Sequence, residues 1–279
     1  QESQGEHRFS SIDDFENGFV NRIIYENAAG TNNPDDGAGK FKYAVNTVYG
    51  QDEYYFIDKD LTLTVGLRYD WYTTSDEPRF NQNFADTYGF GNNATLDGEG
   101  LLQPRVGMNW VVNDQLEVRG GFGLYSGGNP NVWLSNNYSN NGVSLYEASL
   151  RNVNLFDLDY GNGSPIIDIP RELFDEVANA QGVGPVNALD PNFELPSEWK
   201  YAFGATYVTE NDYVLIADIL HTRKQDAAVI RDLRATQTGT APDGRPIYSG
   251  SGADAFLLTN VDGDSGKQTS ISFAVSKEH

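Results

Sequence analysis

Cysteine is absent from this sequence and histidine is scarce, which removes several kinds of catalytic and metal site. Without cysteine there is no disulfide framework, no thiolate metal site and no cysteine nucleophile. The histidines are His7, His221 and His279, and none belongs to the H-E-x-x-H spacing of a zinc site. No G-x-S-x-G motif and no glycine-rich phosphate loop followed by lysine occurs either. We therefore expect a protein that is not an enzyme, with no cofactor and no metal site.

Paired carboxylates such as Asp157 and Asp159 are the remaining candidates for chemistry. Two carboxylates about 5–9 Å apart are the arrangement that hydrolyses glycosides, but such pairs arise by chance among 40 acidic residues. The segment Asp157–Gly163 offers oxygen ligands for calcium, yet it lacks the EF-hand order and the glutamate at the twelfth position. We interpret these residues as a solvated acidic turn.

Long apolar runs are also absent, because uninterrupted hydrophobic stretches extend over only a few residues. A membrane-spanning helix needs roughly 18–20 apolar residues, so a helical membrane protein is excluded. A transmembrane β-barrel is not excluded, since its strands alternate lipid-facing and lumen-facing side chains and average to a polar composition. The mean hydropathy of -0.51 agrees with that architecture.

Positive charge is in short supply, with 19 lysines and arginines against 40 aspartates and glutamates and a formal net charge of -21. Such a chain repels nucleic acid phosphates and anionic lipid surfaces. We therefore exclude nucleic-acid binding.

The two ends of the sequence resemble cuts in a longer chain. It begins at Gln1 without a charged and then apolar signal segment, and it ends at Lys277-Glu278-His279 directly after a strand-like run. We expect residues 1–279 to be one partial domain of a larger protein, and an isolated piece to expose aggregation-prone strand edges.

The sequence is rich in segments whose apolar residues recur at every second position. In Leu61–Trp71 the alternation is unbroken, and Arg68 and Asp70 fall between the apolar residues. A period of two places the apolar and polar side chains on opposite faces of a β-strand. Four further segments share this pattern: Leu102–Val112, Leu116–Leu124, Trp199–Tyr207 and Ile271–Val275. The sequence therefore predicts an all-β, antiparallel protein.

Two segments are less regular. In 40–57 the apolar residues change face between Val45 and Tyr54, which predicts a β-bulge near Tyr49-Gly50. In 214–220 the apolar residues share a face with Asp218, so the pattern leaves the inward side open.

Short and long connections alternate along the chain. Tight turns rich in Asp and Asn are predicted at Asp58-Lys59-Asp60, Asn113-Asp114 and Glu210-Asn211-Asp212. Between them lie long polar connections at about 73–100, 127–197 and 224–267. This order is typical of outer-membrane barrels, whose periplasmic turns are short and whose extracellular loops are long. A compact soluble sandwich rarely tolerates such long, regularly placed loops.

Within the longest connection, Pro170–Gln181 is predicted to form a short helix that caps the loop. Proline is favoured at a first helical position, Leu173 and Val177 share one face, and Gly182 is the stop signal. The opening segment 1–39 is not placed by the sequence, since Phe19–Tyr25 fits a strand or an external loop.

Several short sequence motifs, spread over nearly the whole chain, resemble those of the TonB-dependent receptors. The resemblance is specifically to the large outer-membrane proteins called Oar-like. Tyr49–Tyr54 followed by Leu61–Asp70 is similar to the family's "Y-x-Q-D-E-aromatic … L-T-L-x-x-G-L-R-Y-D" signature. Further similar phrases are Pro104–Gly107, Arg119–Gly127, Asp190–Pro196 and Leu257–Asn260.

The resemblance implies a piece of a larger transport machine. Its members have a plugged barrel of about 22 strands, of which this chain would supply about seven or eight. The plug, the TonB box and the closing strand with its terminal aromatic residue do not occur in the sequence. The implied partners are the plug, TonB, outer-membrane lipid and lipopolysaccharide, and a siderophore, oligosaccharide or peptide substrate. From charge alone, divalent cations are expected to bridge acidic loops to lipopolysaccharide phosphates.

Loop aromatics and amides are the predicted ligand-binding residues, because such side chains stack on and hydrogen-bond sugars or peptides. Their alternative role is simple loop formation. The candidates are Trp133, Asn136, Asn137 and Tyr138, with Asn140 beside them.

Strand residues provide two further sets of predicted functional residues, the interfacial anchors and the lumen-facing polar residues. Aromatics near strand ends, namely Trp71, Trp110, Tyr125 and Trp199, are interpreted as interfacial anchors. The polar side chains between apolar strand residues are expected to face the lumen, where they hold the plug, line a path or pair across strands. They are Arg68, Asp70, Arg105, Glu117 and Arg119.

The sequence thus favours part of an energy-coupled outer-membrane importer in the bacterial outer membrane. A passive outer-membrane barrel or a surface adhesin is the first alternative. A secreted carbohydrate-binding β-sandwich is the second, and it would pack its apolar strand faces against each other.

Overall fold

The computed structural model describes residues 4–165, 167–181, 184–252 and 254–277. The predicted helix stop at Gly182 and the third histidine, His279, lie outside these residues. The strands are β1 (Gln4–Arg8), β2 (Phe19–Ala28), β3 (Ala44–Phe56), β4 (Leu61–Thr73), β5 (Gly100–Asn113), β6 (Leu116–Ser126), β7 (Leu145–Asn154), β8 (Val186–Leu189), β9 (Ser197–Val208), β10 (Tyr213–Gln225), β11 (Ala228–Asp232), β12 (Thr236–Thr240), β13 (Pro246–Ser249), β14 (Ala255–Asn260) and β15 (Lys267–Lys277).

The helices are short and lie between strands. None of those in the described part of the chain is long and apolar enough to cross a membrane. They are α1 (Ile12–Glu16), α2 (Pro34–Gly37), α3 (Gln82–Tyr88), α4 (Asn131–Ser139) and α5 (Arg171–Ala178).

One seven-stranded antiparallel sheet dominates the fold, in the order β15-β10-β9-β6-β5-β4-β3. The predicted antiparallel barrel segment of about seven or eight strands is therefore confirmed. The sheet is an open wall, since β3 and β15 are its two edges in the described chain.

The pairing register gives this wall one apolar and one polar face. Leu63 lies opposite Met108, and Phe203 lies opposite Ile219, which in turn lies opposite Ile271. Phe203 is 55% exposed and Ile271 is 73% exposed, so no described residue covers this face. A contiguous exposed apolar surface of this kind is unfavourable in water and matches lipid. A sandwich, which needs a second sheet against the apolar face, does not fit.

All short connections leave one end of the wall and all long connections leave the other. The short ones follow β3, β5 and β9, and two of them place Asp60 and Asp212 in the left-handed region, with φ of 45° and 62°. Aspartate tolerates this conformation better than most residues. The long connections occupy 74–99, 127–196 and 226–266.

The long connections and residues 4–43 fold together into a structured body, called the head below. It contains the sheets β1-β2-β7 and β11-β14-β8 and the hairpin β12-β13. In one of its cores, Val20 and Ile23 of β2 pack with Leu173 and Val177 of α5. Each such fully buried aliphatic side chain contributes about 1.5–3 kcal/mol. Within the opening segment, which the sequence left unplaced, residues 4–28 thus form a hairpin of the head.

Two details differ from the sequence-based expectations. The β3–β4 pairing runs without a shift from Ala44 opposite Thr73 to Phe56 opposite Leu61, so the predicted bulge at Tyr49-Gly50 is wrong. The change of face has no backbone irregularity behind it: Val45 lies opposite Tyr72 on the polar face of β3, Tyr54 lies opposite Leu63 on the apolar face, and the aromatic residues before Ala44 belong to the head.

The predicted helix at 170–181 is shorter than expected. It spans Arg171–Ala178, and Pro170 is its N-cap in an extended conformation with ψ of 139°, not its first helical residue. Leu173 and Val177 lie on its buried face, as the pattern indicated.

Candidate functional site

The polar face carries a hydrogen-bonded cluster at the head end of the wall. Arg68 Nε lies 3.0 Å from Asp70 Oδ1, and Thr47 Oγ1 donates to the same oxygen at 2.6 Å. From the next strand, Gln103 Nε2 donates to Asp70 Oδ2 at 2.6 Å. Asp70 is 9% exposed and Gln103 is 1% exposed. Because both oxygens of Asp70 are engaged, its buried charge is compensated.

Beside this cluster, two cations approach one aromatic ring. The guanidinium of Arg105 lies 4.5 Å from the centre of the Tyr125 ring, and Lys200 Nζ lies 5.3 Å from it. Lys200 also forms an ion pair of 2.7 Å with Glu198. Cations over a tyrosine face are attracted by the negative face of the ring.

A hollow of about 370 Å³ opens where this part of the wall meets the head. We call it the wall hollow. Three of the five predicted lumen-facing residues, Arg68, Asp70 and Arg105, line it together with Gln103, Tyr125 and Leu195. Strand alternation and the β4–β5 register bring them together, because Arg68 lies opposite Gln103.

The other two predicted lumen-facing residues lie closer to the short turns. Arg119 donates to Asp218 at 2.6 Å and to Thr206 Oγ1 at 3.0 Å. Glu117 lies opposite Thr206 on the same face. The contact with Arg119 places Asp218 on the polar face. It therefore resolves which side of β10 faces inward, which the sequence pattern of 214–220 had left open.

Tyr125 corrects one sequence-based interpretation. It was expected to anchor the membrane interface with Trp71, Trp110 and Trp199, but it stands on the polar face against Arg105. Its position in β6 is odd-numbered, whereas the apolar residues Phe122 and Leu124 of that strand are even-numbered. The three tryptophans share the apolar face, opposite Gly100, Leu61 and Leu124 respectively.

The predicted ligand-binding residues Trp133, Asn136, Asn137 and Tyr138 all lie on α4 in the head. Trp133 Nε1 donates to Ala188 O at 3.1 Å. Asn137 is 1% exposed, and Asn136 O accepts from the backbone of Asn140 at 2.7 Å.

Tyr138 is held from two sides. Its hydroxyl donates to Asp76 O at 2.5 Å, and its ring stacks on Phe41 with centroids 4.0 Å apart. Burial raises the pKa of Tyr138, which keeps the hydroxyl protonated as a donor. These contacts hold the head together, and a ligand role for the α4 residues stays a prediction.

The acidic turn at 157–163 has partners of its own. Asp159 lies 3.1 Å from Arg171 and accepts from the backbone of Gly161 at 2.7 Å. Among the described residues, no group of three or more histidine, aspartate or glutamate side chains is placed to hold a metal ion.

Sequence reasoning missed Gln103, Tyr125 and Lys200 as members of the site. The alternation placed Gln103 on the polar face, but its burial follows from contacts with Asp70 and with the backbone N–H of Ser126 at 3.2 Å. Lys200 reaches the ring of Tyr125 because β9 pairs with β6 across a connection of 70 residues. A local pattern carries no signal for such pairing.

A wall with one lipid-facing and one polar face, short turns at one end and a folded head at the other, defines a segment of an outer-membrane β-barrel. The chain belongs to the family described as outer membrane beta barrel domain, whose family model matches residues 1–254. It is accordingly a protein of the bacterial outer membrane.

Comparison with solved structures finds a distant structural likeness. The chain is similar to the siderophore receptor PirA from Acinetobacter baumannii, with 9% sequence identity and a TM-score of 0.41. The match covers 98% of this chain and 32% of PirA, so the chain spans about a third of that receptor's length. A search of curated proteins finds no match.

Proposed function

We propose that this chain is part of the barrel of a TonB-dependent receptor of the Oar-like kind, which takes up a scarce substrate with energy from the inner membrane. The observation that carries the proposal is the wall hollow. A polar, cation-bearing surface on the lumen side, directly beneath a structured head, suits a solute that is captured outside and handed inward. The sequence phrases around Tyr49–Tyr54 and Leu61–Asp70 support the same assignment.

In this proposal the parts of the chain have separate roles. The apolar face anchors the barrel in lipid, and the head captures the substrate. The wall hollow is the first polar surface that the substrate contacts inside the lumen. Arg119 with Asp218 lines the wall further toward the periplasm. The plug and the energy-transducing partner TonB act from outside these residues, and the chain itself carries no catalytic step. A siderophore, an oligosaccharide and a peptide are the candidate substrate classes.

The test is accumulation of labelled solutes by cells that carry the intact gene, compared with a deletion strain and a complemented strain. A panel of ferric siderophores, oligosaccharides and peptides covers the candidate classes. We expect one class to accumulate above its external concentration, and a protonophore or loss of TonB to abolish this accumulation. Uptake that only equilibrates and ignores the protonophore would establish a passive barrel.

A surface adhesin is the second candidate, and one observation favours it. The connection between β1 and β2, which holds α1, exposes Ile12 by 77% and Phe15 by 56%, and Phe156 of the head is 64% exposed. Exposed apolar patches on a soluble surface mark interaction sites. For an adhesin, we expect that replacing Ile12 and Phe15 by serine reduces the attachment of cells to surfaces or to other cells and leaves solute uptake unchanged.

A further inference from the structure

The charges around the wall hollow are unevenly matched. Arg68 pairs with Asp70 at 3.0 Å, and Lys200 pairs with Glu198 at 2.7 Å. Arg105 has no carboxylate partner within 4.0 Å among the described residues. This stretch of wall therefore holds one cation more than it holds anions, in a chain whose formal net charge is -21.

The contacts of Arg105 leave most of its donors unused. Its Nε is buried without a hydrogen-bond partner among the described residues, and its Nη2 makes a long bond of 3.3 Å to Gln103 Oε1. The guanidinium carbon lies over the ring of Tyr125, 4.5 Å from its centre. A guanidinium has five N–H donors along its edge, and attraction to an aromatic ring gives them no oxygen acceptor. A half-buried charge in this state is unfavourable until an anion meets that edge.

A second group in the same hollow also lacks a partner. Tyr72 is 2% exposed, and its hydroxyl has no hydrogen-bond partner in the described part of the chain. Tyr72 lines the hollow with Arg105, and Leu101 and Leu195 provide apolar surface nearby. The hollow is thus lined by a guanidinium without a carboxylate partner, by Tyr72 and by two leucines, in about 370 Å³, which lies at the small end of ligand sites.

We propose that the wall hollow is a carboxylate site in which the guanidinium of Arg105 receives the anion and Tyr72 and the leucines receive its body. Asp70 does not repel the ligand strongly, because its oxygens already accept from Arg68, Thr47 and Gln103. Arginine suits this role since its edge binds both oxygens of a carboxylate at once. This inference rests on the proposed function in one respect, namely that the polar face of the wall is the lumen side.

Two sources could supply this carboxylate: a diffusible solute in the lumen, or an aspartate or glutamate of the polypeptide outside these 279 residues. The first arm measures binding of 4-hydroxybenzoate to the full-length protein, purified in detergent from outer membranes, by isothermal titration calorimetry. Its neutral amide, 4-hydroxybenzamide, is the probe control. A solute site binds the acid about tenfold or more tightly than the amide, as expected for one charge-assisted hydrogen bond.

The variant Arg105→Gln should lose this preference, whereas Arg231→Gln should keep it. Arg231 is the matched control because it is an arginine of the head that pairs with Asp262 at 2.5 Å, away from the hollow. If Arg105→Gln does not fold, Arg105→Lys replaces it, since lysine retains the charge without the bidentate edge. Binding of the acid should then weaken by several-fold but persist.

The second arm detects an internal partner. In full-length Arg105→Lys, a carbodiimide joins the lysine amine to a contacting carboxylate as an amide, with loss of water to the reagent. A cross-link to an acid elsewhere in the polypeptide, without 4-hydroxybenzoate binding, assigns the site to that side chain. If the acid does not bind and no cross-link forms, the proposal is wrong. Neither the binding arm nor the cross-linking arm needs an energy source. A passive barrel can therefore give a positive result in these arms while it fails the accumulation test of the proposed function.

Discussion

Gln103 Nε2 donates a 2.6 Å hydrogen bond to Asp70 Oδ2, and through it two neighbouring wall strands share one buried charge. The same amide group accepts from Arg105 and from the backbone N–H of Ser126 through Oε1. Gln103 is therefore the residue that connects the paired ions of β4 with the unpaired cation of β5 and with the start of the head.

Replacing Gln103 by leucine is expected to lower the free energy of unfolding by about 1–3 kcal/mol, because Asp70 then keeps one lone pair buried without a donor. The measurement is urea unfolding of the full-length barrel in lipid vesicles. Gln51→Leu is the control, since Gln51 is an exposed glutamine on the same polar face, opposite Gly66. Equal effects of the two substitutions would contradict a special role for Gln103.

Gly121 is required by the close approach of β5 and β6. A Cβ atom at this position would lie 2.8 Å from Val106 O, and that backbone oxygen cannot move aside cheaply. We expect Gly121→Ala to cost about 1–3 kcal/mol of stability. Gly50→Ala is the matched control, because no atom of the described residues lies within 4 Å of its Cβ position. The same vesicle assay compares them, and a neutral Gly121→Ala would mean that the strands relax more easily than the register suggests.

Leu67 tests which face of the wall meets lipid. It is 51% exposed, lies at the middle of β4 and faces the same side as Leu63. Leu67→Arg is expected to destabilise the barrel by about 2–4 kcal/mol, the cost of a cation at the bilayer midplane. Thr64→Arg, on the polar face of the same strand beside Glu53, should be nearly neutral. Reversed results in the vesicle assay would exchange the two faces.

Glu26 predicts a pH dependence in the head. Burial raises the pKa of Glu26, and so does the negative charge of Glu147 directly opposite it. Between the ordinary glutamate pKa of about 4.3 and this raised value, the folded head holds a proton that the unfolded chain has released. Stability therefore falls as the pH rises through that window.

The substitution Glu26→Gln should remove this slope and stabilise the head at neutral pH. Hydrogen exchange of the β2 amides, corrected for the intrinsic effect of pH, measures it. Glu172→Gln on the exposed side of α5 should change nothing. If both variants keep the slope, another group in the head is responsible.

Much of the wall could be predicted from the sequence, for a simple physical reason. In Leu61–Trp71 the period of two is a local property of the chain, and it determines which side chains share a face before any strand pairs. Asp and Asn in the short turns likewise act locally, through left-handed backbone conformations at Asp60 and Asp212. The fold class, the strands of the wall and the membrane environment follow from these patterns, whereas the eight strands of the head do not.

The head and the wall hollow were decided only by the tertiary structure. Alternation with Phe122 and Leu124 places Tyr125 on the polar face, but its contact with Lys200 depends on the pairing of β6 with β9 across a connection of 70 residues. The burial of Gln103, the lack of a carboxylate for Arg105 and the packing of residues 4–43 against β7 depend on such distant contacts. The sequence by itself therefore determined the wall and its two faces, while register and long-range packing decided where its charges meet.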